Sequence, residues 1–327
     1  MTFQNTPISR RQAIATAAAL AAPTLLLGAH AQSVWPNRPL KIVVGFPGGS
    51  SPDLTARLLA EPLQQALGQP VVIENRPGAG GNIAAAQVAR ADDDHTIGLM
   101  INGNMTIAKI LNPDTTYDPI KDLTPVSLIA VAPLVLSVPA TVAESGAAYI
   151  AAARASGDKW NYGTPGVGTV AHLGMELLKA QAGIDPVHVP YPGNPQIITA
   201  MLGGQVQLAL LPPAMAAAQV RGGKLRAIGA SSTGRSPVAA EVPSLSEIGV
   251  KDYQLEIWNA VAAPASMPAT VATKLSSVVS EIVRAPEMRA RLFQQGWQVV
   301  GSSPEGLRNR IESDTKALGD IIRSQKI

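Results

Sequence analysis

The chain has 327 residues, no cysteine, and 26 Lys and Arg against 23 Asp and Glu. The missing cysteine excludes disulfides, thiol nucleophiles and thiolate-bound metals, and the near balance of charge gives no support for nucleic-acid or anionic-membrane partners. The length suffices for a large core and for two domains.

In chain order, Ser9-Arg10-Arg11 precedes an uncharged, alanine-rich run from Ala13 to Leu27, and Ala29-His30-Ala31 has the small-x-small form of a cleavage site. Residues 1–31 therefore read as an export signal cleaved near Ala31. The paired arginines point to twin-arginine export, with a Sec signal as the alternative. The apolar run is shorter than the roughly 20 residues a membrane span needs, and without a following cysteine a lipid anchor is excluded.

Leu40 to Val44 is an apolar, β-branched strand followed by Gly45-Phe46-Pro47-Gly48-Gly49-Ser50-Ser51, and Pro52 and Asp53 suit the first turn of a helix that continues to Leu67. Pro62 inside that pattern is expected to kink or divide the helix. Further strands are expected over 70–75, 96–101, 123–138 (in two segments around Pro125 and Pro133), 160–163, 187–189, 206–211, 225–230 and 253–263. Helices are expected over 83–90, 145–156, 171–182, 195–202, 215–221, 269–284, 286–295 and 304–323. Alternation of this kind predicts an α/β class with mostly parallel sheets.

Enzyme signatures fail in turn. Gly78-Ala79-Gly80-Gly81-Asn82-Ile83 has Ile83 where a dinucleotide fingerprint needs a small residue, and neither a phosphate loop nor a Gly-x-Ser-x-Gly elbow occurs. His95, His172 and His188 are not at metal-pair spacing. No metal or cofactor is expected. One device recurs instead: a glycine loop at a strand end that feeds a helix. It appears at Phe46 to Asp53, at Gly163 to His172 and at Tyr191-Pro192-Gly193-Asn194, with Asn102-Gly103-Asn104 as a fourth polar strand end. None of these loops carries Lys or Arg. Open backbone amides, hydroxyls and helix dipoles would have to hold an anion there. Each loop also has a plain structural reading as a tight turn; Asp53 in particular serves equally as a helix-start residue, and His172 as a brace for its helix.

Several of these segments together resemble the periplasmic receptors of tripartite tricarboxylate transporters, the Bug family. They are Pro36-Asn37-Arg38-Pro39-Leu40-Lys41-Ile42-Val43-Val44 with the Phe-Pro-Gly-Gly loop, Val72-Ile73-Glu74-Asn75-Arg76-Pro77-Gly78-Ala79-Gly80-Gly81-Asn82, Tyr117-Asp118-Pro119, Asn161-Tyr162-Gly163, His188-Val189-Pro190-Tyr191 and Leu202-Gly203-Gly204-Gln205-Val206. The resemblance holds in order and spacing from about Trp35 to the C-terminus. It implies a type II periplasmic binding protein: two doubly wound α/β lobes joined by a hinge, exported, monomeric and without catalytic residues, closing on a small carboxylate and delivering it to membrane permease subunits. A sensor protein for a signalling kinase would use the same fold. The expected division is residues 32–133 with 258–327 as the first lobe, carrying the C-terminal helices, and 134–257 as the second.

Carried over by motif, Phe46, Pro47, Gly48, Gly49, Ser50 and Asp53 of the first lobe would face Gly166, Val167, Gly168, Thr169, Val170, Ala171 and His172 of the second, with the Thr169 hydroxyl donating to the ligand. Asn102, Asn104, Tyr191 and Asn194 would complete the site. Where many relatives place an acid after Gly-Gly-Gln-Val-Gln, this chain reads Leu208-Ala209-Leu210-Leu211-Pro212. Leu211 and Pro212 are thus expected to offer the ligand only apolar surface, favouring an aromatic or other apolar-bodied dicarboxylate such as terephthalate over amino acids or citrate, whose polar groups would go unpaired.

Overall fold

The computed structural model describes residues 35–142 and 146–327. The expected export signal, its cleavage near Ala31, and Ser145 as a helix start lie outside the described residues. β1 (Leu40–Val44), α1 (Ser51–Leu67), β2 (Val71–Asn75), α2 (Asn82–Ala89) and β3 (Thr96–Ile101) make the opening run, with β2 and β3 both parallel to β1. Leu40, Ile42, Val43 and Val44 are fully buried, as an inner strand covered on both faces requires. α1 is one continuous helix with Pro62 inside it. The expected division there does not occur: Leu59 and Leu63 stay fully buried on either side of Pro62, and that packing outweighs the hydrogen bond the proline removes.

Two short helices, α3 (Asn102–Met105) and α4 (Ala108–Leu111), lead to β4 (Leu123–Pro133), and Leu134 alone separates β4 from β5 (Val135–Pro139). There follow α5 (Gly146–Ser156), β6 (Asn161–Thr164), α6 (Val170–Ala182), β7 (Val187–Pro190), α7 (Asn194–Leu202), β8 (Leu208–Leu211), α8 (Pro213–Arg221) and β9 (Leu225–Ala230). The chain then returns through β10 (Glu256–Pro264) to α9 (Ala269–Arg284), α10 (Pro286–Gln294), β11 (Gln298–Val299) and α11 (Pro304–Gln325).

The strands form a six-stranded sheet in the order β11-β4-β10-β3-β1-β2 and a five-stranded sheet in the order β7-β6-β8-β5-β9. The sheets are mixed, not mostly parallel. β10 runs antiparallel to β3 and β4, β11 to β4, and β5 to β8 and β9. The reason is the path of the chain: β4 carries it out of the first sheet, β10 brings it back, and the two lie side by side over Leu123 to Pro133. At the crossing, Ser231 Oγ accepts from the Leu134 amide at 2.8 Å and donates to the Leu255 carbonyl at 2.6 Å, so one buried hydroxyl ties the outgoing strand to the returning one.

The C-terminal helices do not all pack on the first sheet. α11 buries Leu307 and Ile311 in the core of the first sheet and Leu318 and Ile322 in that of the second. At 22 residues it is about 33 Å long, enough to reach both. All of this lies within the unit Arg38–Ile327.

Candidate functional site

Each strand-end loop leaves its following helix with open amides. The first amides of any helix lack intrahelical acceptors, and at α1 the Ser51 amide has no partner among the described residues. Ser50 is the N-cap, in extended backbone, but its hydroxyl makes no capping bond. Asp53 takes over the bracing: its carboxylate accepts from the Gly49 amide at 2.8 Å, Arg57 Nε at 2.9 Å and Asn75 Nδ2 at 2.9 Å. Burial pushes this carboxyl up, yet the bonds from Arg57, Gly49 and Asn75 outweigh burial and hold it below the ordinary carboxylate value. Asp53 thus braces the loop, and it is not among the residues that line the pocket described below.

On the second sheet, Gly166 and Gly168 have φ of 121° and 82°, a backbone that favours glycine. Thr169 caps α6: its Oγ1 accepts from the His172 amide at 3.4 Å and donates to the Gly166 carbonyl at 2.8 Å. Its hydroxyl proton is directed to the loop in this structure, whereas the amides of Val170 and Ala171 have no partner among the described residues. The α7 start brings Asn194 alongside.

The loops of the two sheets touch. A Cβ on Gly103 would sit 2.3 Å from the Gly168 carbonyl oxygen, one on Gly80 2.7 Å from that of Val167, and one on Gly193 2.8 Å from Pro47 Cγ. Between the sheets these contacts leave a narrow pocket of about 50 Å³, room for a few waters.

Seven of the predicted residues line it: Phe46, Ser50, Asn102, Thr169, Val170, Ala171 and Asn194. No lining residue is ionisable. Asn102 both lines the pocket and holds its floor, accepting from the Trp258 amide at 2.9 Å and donating to the Glu256 carbonyl at 3.0 Å. Trp258 is fixed in turn by its Nε1 donating to Asp314 at 2.6 Å, with Arg310 bridging Asp314 and Glu256.

The other predicted residues lie elsewhere. Gly166, Val167, Gly168 and Tyr191 line a neighbouring groove that shares only Pro165 with the pocket. Pro47 meets Gly193 across the loop contact, and Gly48 and Gly49 do not line the pocket. Asn104 does not face the pocket either; its Nδ2 donates to the Gly80 carbonyl at 3.1 Å and to Asn82 Oδ1 at 2.8 Å, which holds the Gly78–Gly81 turn. His172 lies behind the loop, its ring 4.5 Å from that of His188, which stacks on Tyr162 at 4.8 Å. Burial lowers the pKa of His172, and burial together with the neighbouring His172 lowers that of His188 to about 4, so both rings are neutral at pH 7.

Leu211 is fully buried in the core beside Ile197 and Val206. Side chains alternate along a strand, and the pocket is lined instead by its neighbour Leu210, with Pro212 present as expected. The sequence reading also missed Ile101, Trp258, Asn259 and Trp297. Asn259 sits at a register irregularity of β10, where a strand is re-aimed.

Among the described residues, no His, Asp or Glu group could hold a metal, and no helix is long and apolar enough to cross a membrane. Residues 55–327 match the family model described as the tripartite tricarboxylate transporter family receptor. The chain is 35% identical over 313 residues to a UPF0065 protein of Bordetella bronchiseptica, covering 94% of this chain and 89% of that one. Its fold superposes on the periplasmic binding protein BugD with a TM-score of 0.85 at 28% identity, over 90% of this chain and 99% of BugD. It superposes equally well on R. palustris Rpa4515 solved with adipate, with a TM-score of 0.85 at 29% identity over 90% and 99% of the two chains. The chain belongs to the tripartite tricarboxylate transporter receptors, the family of the Bug periplasmic solute-binding proteins.

Proposed function

We propose that this receptor captures a carboxylate with an apolar body, an aromatic or longer-chain dicarboxylate such as terephthalate, in the pocket between the two sheets. It works in the periplasm, after removal of the signal near Ala31, as a monomer and without chemistry. Lobe one comprises residues 32–133 and 258–327, lobe two 134–257. Ligand contacts to both lobes exist only when they are closed, so ligand shifts the population toward the closed form, and that form hands the ligand to the membrane permease subunits.

The observation that carries this reading is an uncharged pocket in which the open amides of Ser51, Val170 and Ala171 are set among Phe46, Leu210, Trp258 and Trp297. Helix N-termini attract an anion without a fixed cation, which suits a ligand that must be released again. The apolar walls offer a long ligand surface to cover, and the relative solved with adipate holds a ligand of that shape.

Isothermal titration calorimetry of terephthalate, adipate, aspartate and citrate tests the reading. Terephthalate or adipate is expected to bind at least about tenfold more tightly than the other two, because their extra polar groups would be stripped of water without full replacement. Tight aspartate or citrate binding with no binding of either apolar-bodied acid would overturn it.

A further inference from the structure

Two polar atoms in the wall of this pocket are spare. Ser50 Oγ and Asn194 Oδ1 are both buried and have no hydrogen-bond partner, in residues that are 1% and 7% exposed. Both residues line the pocket, one from each sheet, and their loops meet where Gly193 faces Pro47. Neither atom is needed by the fold. Ser50 caps no amide of α1 with its side chain, and the Asn194 amide nitrogen rests 3.7 Å from Met215 Sδ. That sulfur is an acceptor only, so it faces the NH₂ and leaves the Asn194 carbonyl oxygen toward the site.

Buried polar atoms in native proteins are almost always paired, and an unpaired one is costly. Water can serve both atoms while the lobes are apart; closure removes it, and the ligand must supply the replacement. The two spare atoms differ in what they ask for. Ser50 can donate one proton and accept, whereas Asn194 Oδ1 only accepts. A carboxylate oxygen satisfies Ser50 but repels Asn194 Oδ1. A hydroxyl satisfies both, by accepting from Ser50 and donating to Asn194.

We propose that Ser50 and Asn194 form a specificity subsite that reads one hydroxyl group on the apolar body of the bound carboxylate. This rests on the carboxylate reading of the same pocket and narrows it: one hydroxyl is selected for, while an acid bearing none leaves the pair unpaired.

The test is calorimetric titration of matched acids, terephthalate against 2-hydroxyterephthalate and adipate against its 2- and 3-hydroxy derivatives, with the wild-type chain, Ser50→Ala and Asn194→Ala. The wild type is expected to bind at least one hydroxy acid about tenfold more tightly than its parent. Either substitution should abolish that advantage, bringing the affinities of hydroxy acid and parent to within about twofold of each other. The proposal is overturned if no hydroxy acid gains over its parent in the wild type, a comparison that needs neither variant to fold. It is overturned equally if the substitutions weaken parent and hydroxy acid alike. Binding of parents without a hydroxyl preference leaves the carboxylate reading standing; binding of no acid at all removes both.

Discussion

At the scale of single residues, polar groups in this chain divide into those spent inside the protein and those left open at the pocket. Asp53, Asn104 and Thr169 belong to the first group, with bonds to Arg57, Gly80 and Gly166 respectively. Ser50 and Asn194 belong to the second. His188 carries a consequence for stability against pH. Its pKa in the fold is lowered to about 4 by burial and by the nearby His172, whereas the unfolded group titrates near about 6.5. The unfolded chain therefore binds more protons across that window, so the contribution is complete above about pH 6.5 and is lost as the pH falls toward 4. Melting temperatures measured between pH 7 and pH 4.5 should fall, and His188→Gln should flatten that fall; an unchanged slope in the variant would assign it to other groups. The sequence could not reveal this ring, since its stacking partners Tyr162 and His172 come from β6 and α6, brought beside it only by the sheet order. Leu210 and Leu211 were equally illegible. The strand Leu208–Leu211 is apolar and buried on both faces, and such a run carries no alternation from which to tell the pocket side from the core side.

Among the elements, strands and helices were legible where glycine and proline punctuate apolar runs, as at Leu40–Val44 and Leu225–Ala230, whose bounds agree with expectation. Asn102-Gly103-Asn104, expected as a polar strand end, is instead the short helix α3, because its turn is held from outside by Glu256 and Gly80. The parallel or antiparallel sense of the strands was not legible, as it depends on where the chain crosses between sheets. Ser231 is the residue that fixes that crossing. Ser231→Ala would leave the Leu134 amide and the Leu255 carbonyl unpaired, a loss of about 2 kcal/mol. Chemical denaturation should register it as a lower midpoint with an unchanged slope; a midpoint equal to that of the wild type would remove Ser231 from the hinge.

For the whole molecule, two sheets share one closing helix. α11 anchors Leu307 and Ile311 on one core and Leu318 and Ile322 on the other, so the connection between the two sheets includes it as well as β4 and β10. Backbone-to-backbone contact at the mouth then explains why glycine stands at Gly80 and Gly103. In Gly103→Ala the new methyl would lie 2.3 Å from the Gly168 oxygen, so one of the two loops must shift away from the other. Dicarboxylate affinity should fall by at least about tenfold, while the ligand-free melting temperature stays within roughly 2 °C, since the open form bears no such contact. Retained affinity would place closure somewhere other than this contact.

The central claim is that the pocket binds a carboxylate with an apolar body and that binding holds the folded, closed chain together. Thermal melting against a panel of mono- and dicarboxylates tests it most directly, because a ligand bound only by the native state must raise the melting temperature. At about a hundred times its dissociation constant, an apolar-bodied dicarboxylate should add about 2.7 kcal/mol, a rise of roughly 5 °C for a chain of this size. A panel in which no carboxylate shifts the transition, or in which aspartate and citrate alone shift it, would contradict the account.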